Sequence, residues 1–181
     1  MSSSKWKYRT YYVNIDSSDR DRKTWPNSGN FEVKFQPDST FSGATVNRAF
    51  KNVVTVEVMD VMFPNIPKAS KNMYYYLCFP ELTDGVGVFE STNNYNTKAL
   101  VKILPLNVVG HYVISQYQQP ETTRIVFPVE GKRIDKLTVE FRTNTGAIFD
   151  FSENTDNGST PNPLLQTSIT LRITVRDKVI P

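Results

Sequence analysis

From Phe50 to Pro67 the apolar positions alternate with polar ones and then change phase. Val54, Val56 and Val58 alternate with Thr55 and Glu57, the period of a strand with one buried face. Met59, Val61 and Phe63 then carry the apolar set on the opposite parity, with Asp60 between. The spacing predicts either a β-bulge near Val58 or a stretch covered on both faces. Valines and a threonine without alanine disfavour a helix here, and Pro64 and Pro67 stop the ladder.

The same alternation recurs along the chain. Tyr8–Ile15 reads as an extended segment lying along the body of the fold, with Tyr11, Val13 and Ile15 on one side. Setting it aside, the pattern predicts strands at 31–36, 50–63, 74–79, 98–104, 111–116, 122–129, 134–143 and 167–176. In the last two, Leu137, Val139 and Phe141, and Ile169, Leu171, Ile173 and Val175, face a core. The expectation is an all-β fold, an eight-stranded antiparallel jelly-roll sandwich with an N-terminal extended segment: residues 1–30 as arm and turn, 31–181 as one domain. Counted that way, the connections 37–49, 80–97, 117–122 and 144–166 fall at one end, and 64–73, 105–110 and 130–133 at the other.

Composition agrees: Val 19 and Thr 18 against Leu 9 and Ala 5 is a strand bias. The net charge of +3 comes entirely from residues 1–50, where eight Lys/Arg face five Asp/Glu. Because Asp16, Asp19 and Asp21 interrupt the basic residues there, that stretch reads as a mildly basic arm, not as a specific nucleic-acid site. Cys78 is the only cysteine, which excludes an internal disulfide and suits a reducing compartment. Met1–Tyr8 has no apolar signal core, and no window approaches the roughly 20 apolar residues of a membrane span. Folding in a cell interior without stable membrane insertion is expected.

Chemistry is sparse. Asp16, Asp19 and Asp21 could be cation ligands, but the position expected to hold the loop glycine is Asp21 and the twelfth is Asn27, so a turn held by pairing of the aspartates with Arg20 and Arg22 is expected instead. One histidine, His111, excludes histidine-based metal triads. Glu81 with Asp84, or Asp150 with Glu153, could be acid/base pairs but lie in polar loops. No enzyme activity, cofactor or metal is expected.

Val13–Asp21 (VNIDSSDRD), followed by Trp25-Pro26-Asn27 and Phe31, resembles the opening of structural proteins of large icosahedral double-stranded DNA viruses of eukaryotes, the giant viruses among them. Phe63-Pro64-Asn65 and Arg133–Arg142 are similar to later phrases, and Ser18 stands where the family phrase has arginine. The resemblance implies a single jelly-roll capsid component of the virion, either the pentameric vertex (penton) protein or a minor capsid protein. Its partners would be copies of itself, the major capsid protein and other capsid proteins. The N-terminal motif would comprise Asp16, Asp19, Arg20, Asp21, Arg22, Trp25 and Pro26, with the arm running to the particle interior or a neighbouring capsomer. If the chain is a vertex protein, Lys136, Glu140, Arg142, Arg172 and Arg176 on exposed strand faces would make the lateral subunit contact. The alternative is a carbohydrate- or receptor-binding β-sandwich module using its long-loop end.

Overall fold

The structure is a computed structural model that describes residues 6–36, 40–41, 43–92, 97–116, 123–128, 131–151 and 162–178. Its strands are β1 (Trp6–Asp16), β2 (Asn30–Phe35), β3 (Ala44–Val46), β4 (Phe50–Pro64), β5 (Tyr75–Cys78), β6 (Phe89–Glu90), β7 (Lys98–Ala99), β8 (Val101–Ile103), β9 (Val108–Val109), β10 (Tyr112–Gln116), β11 (Arg124–Val126), β12 (Lys132–Ile134), β13 (Lys136–Thr143) and β14 (Ser168–Lys178). The helical elements among the described residues are single 3-10 turns, and none is long and apolar enough to cross a membrane.

Two sheets face each other. The first has the order β1-β14-β4-β10-β9, with β11 and β12 also on β4; the second has the order β3-β2-β13-β5-β8. All pairs are antiparallel except β2 with β3. Alternate residues of both sheets meet in one core: Ile169, Leu171, Ile173, Val56 and Val61 from the first, Phe31, Val33, Leu137, Val139 and Leu77 from the second. A small β6–β7 hairpin is separate from both sheets.

β4 is central, and its phase change has a physical origin. β14 pairs Thr170 with Asp60 and then Leu171 with Val58, so Met59 is the extra residue of a bulge. A second shift, between Thr55 and Val53, leaves Val54 out in the same way. Val53, not Val54, therefore joins Val56 and Val58 in the core, which the simple alternation missed. Two bulges return the apolar residues of a long twisted strand to the same side.

The N-terminal segment is not an arm ahead of the sandwich. From Trp6↔Lys178 to Asp16↔Ser168 it pairs continuously with β14, and Val13 and Ile15 are buried, so the boundary expected at residue 30 falls inside one core. The segments expected as two strands at 111–116 and 122–129 share one position: β10, β11 and β12 pair with successive stretches of the same edge of β4, at 60–64, 55–57 and 50–53. They behave as one long interrupted strand.

That merger moves loops from end to end. The described parts of the connection 144–166, residues 144–151 and 162–166, sit with 17–29, 64–73 and 105–110, through Ser17 N–H to Thr167 O, Asn27 Nδ2 to Phe149 O and Asn65 N–H to His111 O. The other end gathers the described residues of 36–49, 79–97 and 127–135, joined by Phe35 N–H to Asp135 O and the Val86↔Val126 bridge. Residues 117–122 lie outside the described residues.

Candidate interaction surfaces

The phrase Asp16–Pro26 folds into a clasp centred on Arg20. Its guanidinium, 4% exposed, donates from Nε to Trp25 O (2.8 Å), from Nη2 to Pro26 O (2.8 Å), and from Nη1 to Ser17 O and Gln166 Oε1 (both 2.6 Å). The planar fork suits this task, because its donors lie in one plane at fixed angles and stay charged when buried. Ser17 Oγ also donates to Gln166 Oε1, and accepts from Thr167 N–H. The clasp thereby ties the start of the chain to the start of β14.

The aspartates work as turn caps. Asp16 accepts from Ser18 N–H at 2.8 Å, and Asp21 accepts from Thr24 Oγ1 at 2.7 Å and Lys23 N–H at 3.1 Å. The sequence predicts pairing of the aspartates with Arg20 and Arg22; in these hydrogen bonds the carboxylates of Asp16 and Asp21 accept from nearby amides and a hydroxyl, and Arg20 donates to the oxygens of Ser17, Trp25, Pro26 and Gln166. Hydrogen bonds from Thr24 and Lys23 lower the Asp21 pKa, while lost hydration, helped by neighbouring Asp16, raises that of Asp19. Trp25 packs against the core and Pro26 serves through its carbonyl. Gln166 and Ser17, both buried, escaped the sequence reading because their partners lie about 150 residues away and leave no local pattern.

Residues 3–69 match a family of unknown function (DUF5901). No curated protein matches the chain. The matched stretch covers about a third of the sequence, from β1 through the clasp and β4 to the 3-10 turn at Ala69.

The residues expected at subunit contacts lie on two opposite outer faces. On β13, Lys136 reaches Glu32 at 3.0 Å, which raises its pKa, and Arg142 pairs with Glu140 at 2.7 Å while donating to Gly146 O. On β14, Arg172 pairs with Glu57, and Arg176 lies 4.3 Å from the Trp6 ring centroid. Lys136 remains half exposed; Glu57, Glu140 and Arg176 are largely covered by their own neighbours. The structure therefore brings these five together as two separate sets, one on each sheet.

The carboxylates considered for acid/base work have structural partners. Glu81 accepts from Thr138 N–H and Oγ1, and Asp84 pairs with Lys132 at 2.7 Å. Asp150 is half-buried, and Glu153 lies outside the described residues. Cys78, 3% exposed, has its thiol pushed up to about 12 by burial, so it is no nucleophile. Among the described residues no cluster of three His, Cys, Asp or Glu could hold a metal. A cleft of about 320 Å³ lies beside the clasp, lined by Asp16, Ser18, Met62, Tyr112, Gln166 and Ser168. Tyr112 closes one wall by donating its hydroxyl to Pro163 O.

Proposed function

We propose that the chain is a single jelly-roll structural protein of a virion, serving as the pentameric vertex protein or as a minor capsid protein, and that it works by repeated contacts and not by chemistry. The observation that carries this reading is the strand order. β1, β14, β4 and the β10–β12 strand in one sheet face β2, β13, β5 and β8 in the other, an order that supports a jelly-roll winding. The opening phrase supports it from the sequence, and the clasp gives that phrase a job: fixing the first strand to the last. A sandwich of this kind presents its flanks for lateral contacts of the order of 1,600 Å² without opening its core.

The test is the assembly state of the purified chain, by light scattering and electron microscopy, followed by a reconstruction of the particle. A closed five-membered ring, or density for this fold within a capsid, is expected. The cleft beside the clasp supports a second reading, a glycan- or receptor-binding module. A monomer with strong, saturable binding on a glycan array would favour that module and sink the capsid reading.

A further inference from the structure

The fold concentrates cations that the sequence scatters. β14 pairs with β4 only as far as Val175↔Val53, whereas its pairing with β1 continues to Trp6↔Lys178. The two-stranded ribbon Trp6–Arg9 and Val175–Lys178 therefore projects past the sandwich at the end that carries 36–49 and 127–135. It brings Lys7, Arg9, Arg176 and Lys178 beside Arg48 and Lys51, at the start of β4, and Lys132 and Arg133 on β12. Arg9, Arg48 and Lys51 line one hollow of about 210 Å³ with Tyr11 and Asp177.

Three described acids at this end are paired, whereas Glu81 accepts from Thr138 and exposed Glu90 lies on the separate β6–β7 hairpin. Asp177 pairs with Arg9 at 3.1 Å, Asp84 with Lys132, and Asp135 with Arg133. Among the described residues Lys7, Arg48, Lys51 and Lys178 form no ion pair. On the same ribbon Trp6 and Tyr8 are 41% and 61% exposed, alternating with Lys7 and Arg9.

We infer that this end binds single-stranded nucleic acid without preference for base sequence: the cations hold phosphates, one of them in the hollow, and Trp6 and Tyr8 stack against bases. Charge complementarity selects a polyanion, and the rings select one with exposed π-faces. An anionic bilayer fits less well, because interfacial binding needs buried apolar area. Exposed Leu106, Val108 and Val109 lie at the opposite end, and exposed Val86 and Val126, which bridge each other at this end, lie beyond β4 on the edge away from β14 and the ribbon. The inference does not depend on a capsid role, since it concerns the isolated chain.

The experiment is fluorescence anisotropy of a labelled mixed-sequence DNA strand titrated with the full chain, with phosphatidylserine vesicles in a parallel assay. The four cations without an ion pair, of which Arg48 lies over the Tyr11 ring, give on single-stranded DNA a salt slope of about −2.8, a loss of roughly fifty-fold in affinity between about 50 and 200 mM salt. Changing Arg48→Ala with Lys51→Ala is expected to flatten that slope by about 1.4. Trp6→Ala with Tyr8→Ala is expected to weaken binding about fivefold or more while leaving the slope unchanged. Lys71→Ala, at the other end, is expected to change nothing. Should the Arg48 and Lys51 pair unfold the chain, exposed Lys7→Gln with Lys178→Gln reads the same slope. No DNA binding at low salt, binding only to vesicles, or unchanged binding in the cation variants would overturn the inference.

Discussion

Replacing Arg20 by alanine would leave the carbonyls of Ser17, Trp25 and Pro26 and the Gln166 side chain without the guanidinium that joins them. The expected loss is about 3–5 kcal/mol in urea unfolding, since buried charged hydrogen bonds fail together. Arg20→Lys is expected to recover little of it, because an ammonium cannot reach oxygens spread around a planar fork. The two neighbouring aspartates give a pH signature of opposite sign. Asp21, lowered when folded, adds stability above its unfolded pKa that is lost as pH falls through the folded value; Asp19, raised when folded, favours the fold below its unfolded pKa and loses that contribution as pH rises through its folded value. Carboxyl NMR should find Asp19 protonating at higher pH than Asp21, and Thr24→Ala should move Asp21 upward. An unmoved Asp21 would remove Thr24 as the cause.

At the scale of elements, β1 belongs to the core, and truncation should show where that begins. Deleting residues 1–7 takes away only the outermost described pairs, Trp6↔Lys178 and Lys7↔Asp177, so a cooperative unfolding transition should remain. Deleting residues 1–16 also removes buried Val13 and Ile15, with an expected loss of about 3–6 kcal/mol before counting the bared edge of β14. Equal stability of the two truncations would show that β1 contributes nothing. β4 offers a sharper case. Without Met59 the pairs Leu171↔Val58 and Thr170↔Asp60 become consecutive, and Val58, Val61 and Phe63 alternate regularly with Asp60 and Met62, so the deletion variant should keep its near-ultraviolet circular dichroism; loss of that signal would show that the fold needs the bulge itself. The apolar phase change announced one bulge, but the second was hidden because Val53 and Val54 are both valine.

For the whole molecule, Cys78 serves as a reporter. It faces outward from its sheet with Tyr76, under Ala99 of the β6–β7 hairpin, and burial pushes its thiol up to about 12. Iodoacetamide at neutral pH should leave it unmodified until urea unfolds the chain globally. Modification well below the unfolding midpoint would show that the hairpin lifts on its own. Strand positions were legible in the sequence because alternation is a local property, set by which side chains can share one face of a pleat. The turn at Asp16–Pro26 was legible for the same reason, through short polar side chains that cap nearby amides. What only the tertiary structure decided is pairing over long separations: β1 joining β14, three short segments sharing one edge of β4, and the described ends of the 144–166 connection lying beside 64–73 as a result. Arg20 meeting Gln166 and eight scattered cations gathering at one end belong to the same class, because a linear pattern specifies which face a residue occupies but not which distant strand lies beside it.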